Sequence, residues 1–268
     1  MNITKNNGIS EKYRKWLDIL NRDYSRPFSS KDVNIKLNLS LEKTRRLLVY
    51  LESRGWLSRL YRNHYITVPL GTINPHEYSE DSWITASGIF SPCYIGGWSA
   101  AEHWHFTDQI INDVTVFTSC RFRHTKTTVK SVTYILSHIK DNGFWGLVNV
   151  WRKNIKVQIS DPSKTIVDIL NYPFMAGGIR HASEIVKSYF DSEHRNDKTL
   201  LSFIEKSGNK TCYKRLGYIV EKLEINAPKI INSCLINISK GFSALDPDNK
   251  AKGRYIRKWN LKVNVEIV

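Results

Sequence analysis

Residues Pro27 to Val68 carry a pattern that leaves this chain few alternatives: two short helices across a tight turn, followed by a basic hairpin. Ser29 and Ser30 are suited to cap a helix from Lys31 to about Leu37, Asn38 supplies a polar turn, and Ser40 caps a second helix from Leu41 to Arg54. Leu41, Thr44, Leu48 and Leu51 recur at helical spacing and predict the buried stripe of that second helix. Lys43, Arg46 and Tyr50 then project from the other side, a basic, aromatic-edged face suited to a DNA major groove. Gly55 is placed to end the helix, and strands at Leu57 to Tyr61 and His64 to Val68 are joined at Arg62-Asn63. Asn tolerates the left-handed backbone of a tight hairpin, whereas Arg at the first turn position is unusual. The pattern is a winged helix-turn-helix. Its expected DNA contacts are Ser40, Lys43, Thr44, Arg45, Arg46 and Tyr50 from the reading helix, with Arg59, Arg62, Asn63 and His64 from the wing.

Charge points the same way. The formal net charge is +15, and residues 1 to 70 hold 14 Lys and Arg against 6 Asp and Glu. A concentrated basic region gains affinity for nucleic acid by releasing counterions from phosphates. The four cysteines, Cys93, Cys120, Cys212 and Cys234, are tens of residues apart with no Cys/His cluster at zinc spacing, so no metal site is expected. Met1 to Ser10 is polar and lacks an apolar signal core, and no run of about 18 apolar residues occurs, which predicts a cytoplasmic protein with reduced thiols.

Residues 11 to 24 place Tyr13, Trp16, Leu17 and Leu20 at core spacing and predict a scaffold helix beneath the reading helix. The polar stretch Leu70 to Ser82, with Gly71 and Pro75, reads as a boundary. The expected organisation is a winged domain over residues 1–70, a linker over 71–82 and a larger domain over 83–268. In the larger part the pair Gly96-Gly97 leads into a helix beginning at Gly97 or Ser99, and strands are predicted at Val114 to Thr118, Val129 to Leu136 and Asn154 to Ile159. Asp161 caps a helix to Asn171 with Pro162 at its first position. Helices follow at Ile179 to Asp191, Asp197 to Ser207 and Cys212 to Leu223, with late strands at Ile236 to Ile238 and Leu261 to Val268. The fold class is α+β, with the winged helix-turn-helix preceding a mixed C-terminal domain.

Several constellations could carry chemistry, and each has a plainer reading. Gly96-Gly97 lacks the rest of a phosphate-binding fingerprint and reads as a packing turn. His103 and His105, beside Trp98 and Trp104, have no identifiable nucleophile and read as satisfied core groups. Asp161, Lys164 and Asp168 imitate a metal nuclease, but Asp161-Pro162 is a helix start and Asp168 lies two turns along that helix. The basic segments Arg121 to Lys130 and Lys250 to Lys258 read as loops; in the first, Arg121, Arg123 and Lys126 flank Phe122, a composition able to touch a sugar-phosphate backbone and stack on a base.

A family resemblance covers most of the chain. Tyr94-Ile-Gly-Gly-Trp-Ser-Ala-Ala101, Val114-Thr-Val-Phe-Thr118 and Val157-Gln-Ile-Ser-Asp-Pro-Ser-Lys-Thr-Ile-Val-Asp168 stand in that order, followed by Pro173, Gly177-Gly178, Arg215-Leu-Gly-Tyr218, Glu221, Leu245-Asp-Pro247, Trp259 and Val263-Asn264. In this order they resemble the AbiEi family of type IV antitoxins, transcriptional regulators of abortive-infection phage-defence operons. Ala101 and His103-Trp104 depart from the leucine and the His-Gly pair that the family often shows. The resemblance implies a winged domain that binds inverted repeats in its own promoter, and a C-terminal domain that supports antitoxicity. It implies a nucleotidyltransferase-like toxin, neutralised without a stable complex. The expectation is thus a DNA-binding autorepressor and antitoxin with no catalytic centre and no cofactor. The alternatives are a metal-dependent nuclease fused to a wing and an antitoxin that grips its toxin directly.

Overall fold

Capping chemistry sets the N-terminal architecture. The computed structural model describes residues 9–267; residues 1–8 of the polar N-terminal stretch and Val268 of the last predicted strand lie outside them. Helix α1 (Glu11–Asp23) is capped by Ser10, and strand β1 (Phe28–Ser29) leads directly into α2 (Ser30–Leu37). At its start the Ser29 hydroxyl accepts the Asp32 N–H at 3.4 Å while Asp32 Oδ2 accepts the Ser29 N–H at 2.6 Å, a reciprocal capping box. Asn38 ends α2 in the left-handed region (φ 49°), which makes the turn tight. Helix α3 (Leu41–Ser53) follows, with the Ser40 hydroxyl accepting the Lys43 N–H at 3.3 Å. At its far end Gly55 (φ 75°) donates to the Glu52 carbonyl and Trp56 to the Leu51 carbonyl, the double closure that a left-handed glycine allows.

Strands β2 (Leu57–Tyr61) and β3 (His64–Thr67) form the wing, and β1 adds antiparallel to β3, giving a three-stranded sheet of order β1-β3-β2. Beneath the reading helix, Leu17, Leu20, Val33, Leu47, Leu48, Leu51, Leu57 and Tyr65 form one core. The sequence of elements is that of a winged helix-turn-helix, as expected. One helical position differs: Leu47 takes the inward place assigned to Leu41, which is 38 % exposed because it lies at the first residue of α3, outside the packed turns.

The expected boundary at residues 71–82 moves. The compact first unit runs through residue 91 and includes Thr128–Val132 and Arg152–Ile155. Asp81 caps helix α4 (Ser82–Ile89), accepting the N–H groups of Trp83 and Ile84, and most of that helix is buried. Upstream, the Ser58 hydroxyl donates to the Tyr78 carbonyl at 2.8 Å, while Lys153 pairs with Glu80 and the Arg152 guanidinium lies 4.4 Å from the centre of the Trp83 ring. The polar composition of this stretch therefore reflects side chains engaged in pairs and caps.

The second unit is built on a six-stranded mixed sheet. Its strands are β4 (Cys93–Ile95), β5 (Val114–Thr118), β6 (Lys126–Val129), β7 (Val132–His138), β8 (Leu147–Arg152) and β9 (Ile155–Ser160), in the order β6-β7-β5-β4-β9-β8. β5 runs parallel to β7 and β4 parallel to β9, whereas β4 and β5 are antiparallel. Helix α5 (Gly97–His103) starts at the glycine, which has φ 56° and whose missing Cβ would stand 2.5 Å from the Met175 carbonyl oxygen. Helices α6 (Pro162–Asn171), α7 (Ile179–Asp191), α8 (Asp197–Ser207), α9 (Thr211–Lys222) and α10 (Pro228–Asn237) supply most of the large core. A small sheet of β10 (Ser243–Ala244), β11 (Arg254–Ile256) and β12 (Leu261–Val263) completes it.

Two strand predictions are corrected here. Val129 to Leu136 is not one strand: the chain reverses at Lys130, which adopts φ 52° between β6 and β7. Ile236 to Ile238 is not a strand either, because Ile236 and Asn237 finish α10, whose inward residues are Ile230 and Cys234. The basic segments also contain regular structure, β6 in the first and β11 in the second, where loops were expected.

The landmarks that carry the family resemblance are packing anchors in this unit. The Arg215 guanidinium donates to the carbonyls of Leu245 (3.0 Å), Leu170 (2.5 Å) and Ala244 (3.3 Å), tying α9 to the end of α6 and to β10. Asp246 accepts the Ile179 N–H at the start of α7 (3.0 Å), and Asn264 holds the Asp246 backbone through both ends of its amide. Trp259 is fully buried, donates to Glu221 Oε2 at 2.6 Å and lies against Gly217.

Burial separates the cysteines into two classes. Cys93 and Cys120 are half-buried, whereas Cys212 and Cys234 are buried, and desolvation pushes each of these thiols up to about 12. Two thiols per chain should react promptly with an aromatic disulfide reagent at mildly alkaline pH, and the other two only in denaturant. Because the native thiols hold their protons above the ordinary value of 9.0, stability should fall as pH rises beyond it, where the unfolded chain ionises first. Four equally fast thiols would contradict this burial.

Candidate nucleic-acid interface

Each expected DNA-contacting residue now has a place. Lys43, Arg45 and Arg46 are exposed on α3, and Arg46 forms an i,i+4 ion pair with Glu42. Ser40 is exposed as the cap of the same helix. Thr44 is not available to DNA: it is completely buried, and its hydroxyl donates to the Ser40 carbonyl at 3.0 Å. Tyr50 is half-buried and packs on Tyr13 with ring centroids 4.8 Å apart, so it joins α3 to α1 instead of leading the groove face. Lys12, Tyr13 and Trp16 of α1 border, with Lys43 and Arg46, a concavity of about 410 Å³.

Sequence reasoning did not assign these α1 residues to the basic face. A signal was present, since Lys12 stands four residues before Trp16 and its ammonium lies 4.9 Å from the ring centre.

On the wing, Arg59, Arg62 and Asn63 are exposed and His64 is half-buried. Of the two turn residues only Asn63 has a positive φ (58°), so the turn lacks the double left-handed geometry of the commonest two-residue hairpins. The ladder accommodates this by shifting register between Arg59 and Tyr61. His64 Nδ1 lies 2.9 Å from the Arg62 carbonyl and braces the turn. A bulged, arginine-bearing hairpin and an exposed basic helix thus belong to one winged helix-turn-helix, built of α1 to α3 and the three-stranded sheet.

The chain is similar to a solved structure, the crystal structure of the RV2827C protein from Mycobacterium tuberculosis. The likeness has a TM-score of 0.57 at 14 % identity and covers 96 % of this chain and 92 % of that one. At such identity it shows the fold. No protein-family model matches the chain, and no curated protein matches it.

The second nucleic-acid candidate lies in the other unit. Arg121, Arg123 and Lys126 are exposed, and Lys126 pairs with Asp113 at 3.3 Å. Phe122 is half-buried with its ring 6.5 Å from that of His138, so it is partly engaged with protein. Of the two histidines read as core groups, His105 is exposed, with φ 58° just past the end of α5. The buried histidine is His181, whose ring nitrogens meet the Ala176 carbonyl and the Thr107 hydroxyl, both at 2.9 Å.

The imitation of a nuclease resolves into separate duties. Asp161 Oδ1 accepts the N–H groups of Ser163 and Lys164 as the cap of α6. Asp168 is buried two turns later, with one oxygen on the Lys164 ammonium and the other accepting the Tyr94 hydroxyl at 3.0 Å. Among the described residues, no group of three or more His, Cys, Asp or Glu is gathered for a metal ion, and no helix is long and apolar enough to cross a membrane.

Proposed function

We propose that this protein is a DNA-binding transcriptional autorepressor of a toxin-antitoxin operon and a type IV antitoxin acting against a nucleotidyltransferase-like toxin in phage defence. The observation that carries the DNA-binding part is the joint exposure of Lys43, Arg45 and Arg46 on α3 and of Arg59 and Arg62 on the wing, all in one winged helix-turn-helix unit. In such a unit the second helix enters the major groove while the hairpin meets backbone or minor groove. Arginines and lysines are the residues that pair with phosphates and guanine edges. The antitoxin part rests on the ordered landmarks from Tyr94 to Asn264 that resemble the AbiEi family.

DNA from immediately upstream of the gene, containing its inverted repeats, is the probe. Replacing Lys43 and Arg46 together by Ala should weaken binding and lower the log-log salt slope by about 0.9 per lost phosphate contact. Arg59→Ala and Arg62→Ala should each weaken binding again, whereas Thr44→Ser should leave the slope unchanged. An unaltered affinity and slope in the Lys43/Arg46 double variant would remove α3 from the interface. Co-expression with the adjacent toxin tests the second part, and growth that the antitoxin fails to restore would count against it.

A further inference from the structure

In the second unit a cavity of about 450 Å³ opens between the end of β7, residues 139–145, α6 and the last turn of α8. Its lining is rich in cations and donors: His138, Lys140, Asn142, Lys164, Asn171, Lys206 and Ser207, with Trp145 as the aromatic wall. This volume falls in the range of small-molecule sites.

The cavity's single carboxylate is already satisfied. Asp168 is held by Lys164 on one oxygen and by Tyr94 on the other, and burial pushes its carboxyl above the usual range while Lys164 opposes that shift. Lys164 also donates to the Tyr94 hydroxyl at 3.0 Å, which occupies two of its three N–H bonds. Its ammonium is 4.4 Å from the centre of the Trp145 ring, and the Lys206 ammonium is 5.2 Å from the same ring.

Asn171 is oriented as a donor. Its Oδ1 accepts from Asn209 Nδ2 (2.7 Å) and from the Cys212 thiol (3.0 Å), so the amide NH₂ is the end left to offer. Lys140 and Lys206 are exposed, so two solvent-facing cations stand with a buried third.

We propose that this cavity binds a small phosphorylated ligand of mononucleotide size, with Lys140, Lys164, Lys206 and Asn171 meeting its phosphate oxygens. With Lys164 balanced by Asp168, Lys140 and Lys206 leave a surplus of two positive charges, which selects an anion. Phosphate suits them because its several oxygens can take charge-assisted hydrogen bonds from separate directions. Asp168 and Tyr94 position the buried Lys164, and Trp145 lines the wall nearest the remainder of the ligand. The site is in a different unit from the DNA-reading helix and is independent of that reading.

The test is calorimetric titration of the full chain with ATP, with pyrophosphate and with adenosine. Saturable binding of ATP or pyrophosphate, with adenosine at least tenfold weaker, is expected. Lys206→Gln should weaken the phosphorylated ligand by about tenfold, the scale of one hydrogen bond to a charged group, and Lys140→Gln with Lys206→Gln should weaken it further. Both positions are exposed, so these variants retain the fold, and their binding of upstream duplex DNA should be unchanged. The proposal is overturned by no saturable binding at millimolar ligand, by adenosine binding as tightly as ATP, or by a double variant that binds ATP like the parent. It is equally overturned if Lys43→Ala with Arg46→Ala abolishes ATP binding, which would place the ligand on the winged unit.

Discussion

Lys164→Met is expected to cost about 3–5 kcal/mol of stability at neutral pH, the scale of breaking a buried ion pair by removing one partner. The ammonium and carboxylate side chains are 5 % and 3 % exposed, so Asp168 would be left as an uncompensated buried charge. Tyr94 would still donate to it, but a neutral hydroxyl does not replace a cation. The pH dependence gives the diagnostic. Burial already raises the Asp168 carboxyl above its unfolded value, and Lys164 is the main influence pulling it down. Without the lysine the native carboxyl rises further, so the variant binds a proton that the unfolded chain has released at neutral pH. Its deficit should therefore be largest near pH 7 and shrink as pH falls into the carboxylate range, where both states are protonated. Adding Asp168→Leu to Lys164→Met should recover much of the loss. Urea titrations of the single and double variants over several pH values check this. A deficit equal at all pH values, or no recovery in the double variant, would mean that the pair is not the source.

A second large effect is expected at the contact between α9 and Trp259. A Cβ on Gly217 would stand 2.1 Å from Cζ3 and 2.3 Å from Cη2 of the indole, closer than real atoms approach, so the ring must move. Trp259 has nowhere open to go, being fully buried with its N–H on Glu221. Gly217→Ala should cost roughly 1–3 kcal/mol as an overpacked core, and Trp259→Ala roughly 3–5 kcal/mol as a large cavity. The indole also loses its hydrogen bond in the second case, leaving the Glu221–Lys258 ion pair without its aromatic neighbour. Combining Gly217→Ala with Trp259→Phe should be less damaging than the sum of the separate changes, because the smaller ring makes room for the added methyl. Strict additivity in thermal and urea denaturation would show that the two residues do not share a contact.

Elements with strong local punctuation were legible in the chain. The predicted bounds of α7 and α8 agree with the structure because Gly178 and Asn196 mark their starts and each carries an apolar stripe. Helix α10 was missed although Pro228 opens it and Ile230, Ile231, Cys234 and Leu235 recur at helical spacing: Ala227 provides no side-chain cap, and the β-branched Ile236 and Ile238 read as a strand. β8 lacks a fully buried face: Val148, Val150 and Arg152 are only half-buried and alternate with exposed Asn149 and Trp151, so its pattern is weak. The β6-β7 turn was hidden because Lys130 takes the left-handed conformation where glycine or asparagine is the usual sign.

On the candidate interface, charge and exposure were readable for Lys43, Arg45, Arg46, Arg59 and Arg62, but the burial of Thr44 and the docking of Tyr50 on Tyr13 depend on neighbours outside the helix. Lys164 and Asp168 stood out by spacing alone. Their partner Tyr94 lies 74 residues before Asp168, and no local pattern joins them.

The place of Trp259 in the core also orders events during synthesis. The core beneath the reading helix draws on residues between Leu17 and Tyr65, so it can close as soon as the wing has left the ribosome. The packing of α9 waits for an indole 38 residues beyond its Glu221 partner, and Asp246 waits 18 residues for Asn264. A nascent chain thus holds the closed core of its helix-turn-helix while the helices of its second unit still lack their central aromatic. Interrupted translation would release a fragment that holds the first core without the second.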